Sequence, residues 1–255
     1  MTDLSDQIHL GGTARSPEDV RFLRGLGLQF AEIPINDPSG FSAHVKTYKS
    51  LKDRLGIYYL CHGPSEGDPN NMANLESEYL PKVCDVLTLM ADLEMTLLTI
   101  HLWLDNRYVN ADVIDFKIDL LGKIIRRAGD RGITICIENL SENSNHMTRP
   151  FHELPFLCMT LDLGHGQLLT NRNTSYDFIK KYPKRIKHIH IHDNRGGNSP
   201  HDDLHLPPGE GIVDFKNIFK ELKKMGYNRT ITLELKPYEI EKCLDGLKAF
   251  MAKNL

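Results

Sequence analysis

The strongest constraint in this chain is a repetition. Eight short apolar runs alternate with longer amphipathic stretches from one end to the other. The runs cover residues 8–11, 28–33, 57–62, 97–101, 133–138, 158–162, 186–192 and 231–235. Several are β-branched and nearly continuous, the pattern of strands buried on both faces. Between them, apolar residues recur at helical spacing. Over 110–131 these are Val113, Phe116, Leu120, Leu121, Ile124 and Ala128, with Asn110 as a candidate N-cap and Gly132 as a stop. Residues 214–225 repeat the pattern between Asp214 and Gly226. Pro81 inside the 74–94 stretch predicts a kink or a late start, and the fifth helical stretch, 141–154, is short and carries Pro150. Strand–helix repetition implies a parallel sheet with right-handed crossovers. Eight units in about 250 residues fit a closed (β/α)8 TIM barrel better than an open sheet. Residues 1–255 are therefore expected to form one such domain.

Charge and cysteine usage narrow the function classes. Lys and Arg total 31 against 34 Asp and Glu, a net charge of -3, so bulk electrostatics gives no support for a nucleic-acid partner. The opening MTDLSDQIHL lacks a signal-peptide pattern, and no apolar run approaches the roughly 20 residues of a membrane span. The cysteines, Cys61, Cys84, Cys136, Cys158 and Cys243, form no CxxC pair. They read as reduced thiols of a cytoplasmic protein, with Cys136 and Cys158 as small buried hydrophobes in apolar strands.

Metal-type residues end strand after strand. His62 closes the third run, His101 the fourth, Glu138 the fifth and Asp162 the sixth, with His165 three residues on. His190 and His192 lie in the seventh, Asp203 and His205 in the polar loop 193–211 after it, and Glu234 in the eighth. Functional residues of a TIM barrel converge at the carboxyl ends of its strands. Taken singly, each has a bland explanation. A strand-end histidine can be a satisfied core residue, Glu138 a helix cap, HIHIH a half-buried strand with imidazoles on one face, and Asp203 and His205 plain loop residues. The coincidence is what these explanations handle badly. Glu138, Asp162 and Glu234 all follow apolar sequence toward one rim, and buried carboxylates are costly unless paired or bound to a cation. Mixed imidazole and carboxylate donors suit Zn, Mn, Co or Fe over Ca.

The motifs IENL, LDLGH, HIHDN, HLPPGEG and LELKP, carrying Glu138, Asp162, His165, His190, His205 and Glu234, resemble the xylose isomerase-like TIM-barrel superfamily. That group holds sugar and sugar-phosphate isomerases and epimerases, and the endonuclease IV class of abasic-site DNA repair enzymes. The resemblance implies that Glu138, Asp162, His190 and Glu234 hold a central divalent metal (Zn, Mn, Co or Mg). By the endonuclease IV pattern, Glu138 would bridge to a second metal on His62 and His101. His165, Asp203 and His205 would hold a third, giving one to three metals per chain. His192 is expected to support the ligands rather than join them, and Asp193 to point away.

Two chemistries follow. In an isomerase or epimerase acting on a sugar or sugar phosphate, Glu138 and Glu234 would remove and return a proton beside a metal-bound carbonyl, assisted by His165. Trp103 and Phe41 are candidate sugar-lining residues, with packing as their other reading. Arg195 and Lys236 are candidate phosphate or hydroxyl contacts, with solvated surface charge as theirs. In a multi-metal phosphodiesterase acting on abasic DNA, the full ligand set would be used. The charge balance and the short or acidic early loops, such as 65–68 and Asp105, oppose that reading. A barrel that kept its fold and only binds ligand is disfavoured by the intact ligand set. The proton-transfer enzyme is the expectation carried forward; substrate, native metal and oligomeric state are not written in these residues.

Overall fold

A strand buried on both faces must find partners for two sets of side chains, and this chain does so by closing its sheet. The computed structural model describes residues 8–255, so most of the opening segment read for targeting signals lies outside the described residues. Eight parallel strands close in chain order into a barrel. They are β1 His9–Thr13, β2 Phe30–Pro34, β3 Tyr58–His62, β4 Leu97–Ile100, β5 Thr134–Glu138, β6 Cys158–Asp162, β7 Ile186–Ile191 and β8 Thr230–Leu233. The surrounding helices are α1 Pro17–Gly25, α2 Pro38–Ser42, α3 Val45–Leu55, α4 Met72–Asn74, α5 Leu80–Asp92, α6 Ala111–Gly129, α7 Thr148–Glu153, α8 Ser175–Lys181, α9 Phe215–Lys224 and α10 Pro237–Asn254. Each predicted strand is present; β6 matches at both ends, and the ends of the others differ by at most two residues.

Alternation along the strands separates two cores. Outward residues such as Ala31, Ile33, Leu98, Ile100, Ile135, Ile137, Ile189 and Ile231 pack with the helices into the main core. Inward residues Phe30, Leu60, Leu97 and Cys136 form a separate plug inside the barrel. Gly11 belongs to this inner set because the Phe30 ring takes its space; a Cβ there would meet that ring at 2.4 Å. One inward position further along, the hydroxyls of Thr99 and Thr160 meet at 2.7 Å, and Glu32, His188 and Thr232 are buried. Two residues beyond Leu60, Thr99, Cys136, Thr160, His188 and Thr232 come His62, His101, Glu138, Asp162, His190 and Glu234. The inward parity of the strands thus delivers every strand-end donor to one rim.

The helices follow their caps and breakers. Asp214 caps α9 by accepting the Asn217 N–H at 3.1 Å. Asn110 occupies the N-cap position of α6 without a side-chain cap bond; its own N–H donates to Asn70 Oδ1 at 3.0 Å. Pro81 has the expected effect. Lacking an N–H, it cannot continue the α-helical ladder, and a π-helical turn over Leu75–Tyr79 joins α4 to α5. The weak fifth helix is six residues long, with Pro150 inside it. All five cysteines are free; Cys136 is buried as expected, whereas Cys158 is only partly buried at the amino end of β6. No helix among the described residues is long and apolar enough to cross a membrane.

Candidate metal centre

Glu138 is the hub of the rim. Its side chain, fully buried at the end of β5, faces four imidazoles through two oxygens. Oε2 lies 3.2 Å from His62 Nε2 and 2.9 Å from His101 Nε2. Oε1 lies 3.0 Å from His190 Nδ1 and 3.4 Å from His165 Nδ1. His190 Nδ1 also faces Glu234 Oε1 at 3.3 Å and Asp162 Oδ2 at 3.8 Å. One ring nitrogen can give a proton to at most one of these three carboxylates, so three enclosed negative charges face one point that a single proton cannot neutralise. That donor set fits a divalent cation.

The sequence-predicted residues fall into three groups, in each of which one donor atom per residue lies within 4.8 Å of the others. Glu138, Asp162, His190 and Glu234 form the central group; His62, His101 and Glu138 form the second. The third contains His165, Asp203 and His205 together with His192, which the sequence predicts only as a support. Asp203 Oδ2 is 3.2 Å from His165 Nε2 and 3.1 Å from His205 Nε2. His192 does brace a ligand-type residue, since its Nε2 lies 3.0 Å from Asp162 Oδ1, and its ring stacks on His205 at 3.9 Å. The HIHIH strand is therefore not half-buried: His188, His190 and His192 are all enclosed.

Burial and charge oppose each other across this rim. Burial alone would depress His62, but the hydrogen bond and charge of Glu138 outweigh it and hold the ring up at about 9. The same contest, with Asp203 and Glu234 as partners, lifts His205 to about 9. His165 and His190 are raised well above the usual imidazole range, burial again being overcome by facing carboxylates. Burial would raise Glu138, yet His190 and His101 hold it well below the carboxylate range; Asp203 is lowered in the same way by His165 and His205.

The loop after β7 is fixed by Asp193. It is buried and turned away from the rim as expected, accepting the N–H groups of Asn194, Gly209, Gly211 and Val213 at 2.8–3.0 Å. This clasp folds the HLPPGEG segment back so that His205 Nδ1 reaches Glu234 O at 3.1 Å. On the opposite side, Glu66 Oε1 accepts the Trp103 N–H at 2.7 Å while Lys117 Nζ donates to Trp103 O at 2.8 Å. Glu66 and Lys117 pair at 2.7 Å. Trp103 donates its indole N–H to Ser141 Oγ and stacks on Tyr108, and Phe41 packs on Tyr48, so packing accounts for both. Arg195 and Lys236 are exposed.

Sequence reasoning missed Glu32 and passed over His188 as a site residue. Both are buried, with His190, in a fourth donor group beneath the rim. The signal was available: Glu32 interrupts the apolar run of β2 at the inward position two residues after Phe30. Beside this group, a cavity of about 230 Å³ is lined by Arg15, Glu32, Asn36, His62, His101 and Glu234, among others. It shares Arg15 and Glu234 with a groove of about 550 Å³ that runs past Lys236, Tyr238 and Lys242.

Comparison with known proteins agrees with this architecture. The family described as xylose isomerase-like TIM barrel matches residues 20–252. An uncharacterised protein of Methanocaldococcus jannaschii is 27% identical over 212 residues, 76% of this chain and 69% of the relative. Inosose dehydratase of Clostridium beijerinckii is 26% identical over 148 residues, 50% of this chain and 48% of that enzyme. Among solved structures, a D-tagatose 3-epimerase-like protein superposes with a TM-score of 0.82 at 21% identity, covering 95% of this chain and 97% of that one. The IolI protein with a bound zinc atom gives a TM-score of 0.82 at 14% identity, covering 97% and 99%.

Proposed function

This chain belongs to the xylose isomerase-like TIM-barrel family, and from that premise we propose that it is a divalent-metal-dependent isomerase or epimerase of a small sugar or sugar phosphate. One observation carries the reading. The carboxylates of Glu138 and Glu234 face the same His190 nitrogen at 3.0 and 3.3 Å, from strands that are not neighbours in the barrel. Two carboxylates approaching one point from different strands can serve the two halves of a proton transfer. Glu138, Asp162, His190 and Glu234 would hold the cation. When bound, it supplies Lewis acidity that polarises a carbonyl and acidifies the neighbouring C–H.

The chain's own groups do the rest. Glu234, with 14% of its side chain exposed, reaches the cavity and takes the proton from the substrate carbon. Glu138, facing the same nitrogen from β5, returns to the other face of that carbon a proton relayed from solvent through His62 and His101 at its second oxygen, while Glu234 releases its own to solvent through the cavity. His165, whose Nδ1 lies 3.4 Å from Glu138 Oε1, assists by steadying that carboxylate. Arg15 and Asn36 line the cavity and orient hydroxyls. The relative named as a dehydratase of inosose and the fold neighbour named as similar to a tagatose epimerase support a polyol substrate.

The test is solvent exchange. Ketohexoses, their phosphates and inososes are incubated in D2O with the metal-loaded protein. Deuterium appearing at the carbon beside the carbonyl, together with a new epimer or isomer, supports the reading. No exchange with any member of the panel sinks it.

A second reading has its own observation: the donor groups around His62 and His101 and around Asp203 and His205 are also complete. The residues of all three groups would then hold cations, whose chemistry of water activation and leaving-oxygen stabilisation would suit a phosphodiester. Metal stoichiometry and cleavage of an abasic-site duplex test it, two or three ions per chain with cleavage favouring it over the one-metal isomerase.

A further inference from the structure

His190 has two ring nitrogens and two carboxylate neighbourhoods. Nδ1 faces Glu138, Glu234 and Asp162. Nε2 points into the barrel and lies 2.9 Å from Glu32 Oε2. Glu32 sits on β2, not adjacent to β7, and is 1% exposed; His190 is wholly buried. Neither Glu32 Oε1 nor His190 Nε2 has an aligned hydrogen bond, although the two side chains are in contact. His188 braces the same carboxylate oxygen. Its Nε2 is 3.3 Å from Glu32 Oε2 and 3.0 Å from Thr232 Oγ1, and its Nδ1 is 2.7 Å from Thr230 Oγ1.

Imidazole chemistry assigns the pair a task. A ring nitrogen that offers its lone pair to a cation carries no proton, so a neutral ring holds its proton on the other nitrogen. With Nδ1 as the donor to a metal, that proton is on Nε2. Glu32 is the carboxylate that Nε2 contacts among the described residues. A carboxylate behind a metal-bound imidazole fixes its tautomer and orientation and strengthens it as a ligand. Glu32 in turn avoids the cost of an unpaired buried charge.

We propose that Glu32 is a positioning residue of the metal centre, holding His190 with Nδ1 turned toward Glu138, Asp162 and Glu234. The inference rests on the metal-dependent reading of that site. It differs from an ordinary buried ion pair in one respect: it predicts an effect on cation affinity separate from the stability of the folded chain.

The test compares the wild type with Glu32→Gln and Glu32→Asp. Zn²⁺ affinity is measured by competition with a chromophoric chelator, and the melting temperature is measured in EDTA. Glu32→Gln is expected to bind Zn²⁺ about 10–100-fold more weakly while melting in EDTA close to the wild type. Glu32→Asp, which keeps the charge on a shorter arm, should fall between the two. In the zinc-loaded wild type, ¹⁵N-resolved NMR should find the His190 proton on Nε2, shifted downfield by its carboxylate partner; this readout does not depend on any variant folding. Equal affinities in wild type and Glu32→Gln, or a His190 proton on Nδ1, overturn the Glu32 inference alone. A wild type that takes up no divalent ion overturns the metal-dependent reading as well.

Discussion

His190 and Glu138 meet at 3.0 Å with neither side chain exposed, and the second oxygen of the same carboxylate carries His62 and His101. Glu138 therefore belongs to two donor groups at once. Replacing it by Gln removes a negative charge from both while leaving the shape of the side chain. Glu138→Gln should lose bound metal by elemental mass spectrometry and lower kcat/KM by about 10³-fold or more, with the far-ultraviolet circular dichroism unchanged. Full turnover in this variant would remove Glu138 from the mechanism.

The outer groups distinguish one cation from several. His62 and His205 contribute to the second and third groups but not to the central one. If proton transfer needs only the central cation, His62→Ala should lower kcat/KM by less than about tenfold and leave one metal per chain. If the reaction uses all three groups, the same change should cost about 10²-fold or more and remove an equivalent of metal. Parallel kinetics and metal analysis on His62→Ala and Asp203→Asn decide between these.

Acid should expel the cation. Carboxylate partners hold His62 and His205 up at about 9 against the effect of burial, from an ordinary value of 6.5. A folded-state value above the unfolded one means that these protonated rings stabilise the metal-free chain fully below about 6.5, and that this contribution fades as pH rises through about 9. Metal binding must displace the same protons. Calorimetry of Zn²⁺ binding in buffers of different ionisation enthalpy should show net proton release at pH 7.5 that diminishes above pH about 9. The melting temperature in EDTA should fall over the interval in which Zn²⁺ affinity rises.

Glu142 offers a test of the scaffold away from the rim. It is 1% exposed, and burial raises its carboxyl to about 7 even though Leu104 and Leu140 donate their N–H groups to separate oxygens at 2.7 and 2.8 Å. Removing the charge relieves a desolvated carboxylate near neutral pH, but an amide would set its NH2 against one of those donors. Glu142→Gln should cost about 1–3 kcal/mol at pH 7, read as a lower urea midpoint with an unchanged slope.

The strands and the rim were legible in the sequence because one rule governs both. Inward residues alternate with outward ones, so a histidine or carboxylate at the end of an apolar run is delivered to the barrel mouth; His62, Glu138, Asp162 and Glu234 could be placed this way. Glu32 was not, because it stands inside its run rather than at the end, and its importance comes from a contact across the barrel with His190 that no local pattern encodes. The Glu66–Lys117 clamp on Trp103 was hidden for the same reason, its partners lying 51 positions apart in number and meeting only after β4 and α6 pack. His192 shows a different limit. Its place on the inward face followed from its spacing to His190, but its stacking on His205 depends on how the loop after β7 returns.

That return rests on a single side chain. Asp193 gathers four backbone N–H groups, three of them from Gly209, Gly211 and Val213. Gly211 has no alternative, since a Cβ there would come within 2.2 Å of Asp193 Oδ1. Asp193→Ala removes a buried acceptor from those donors, and each charge-assisted bond of this kind is worth about 1.5–3 kcal/mol before water and neighbours compensate. The expected result is local rather than global failure. Hydrogen exchange across residues 203–213 should accelerate by at least about 10²-fold, metal bound through Asp203 and His205 should be lost, and the melting temperature should fall by only a few degrees. Gly211→Ala should reproduce the loop effect with Asp193 intact. Unchanged exchange in both variants would show that the loop is held by something other than this clasp.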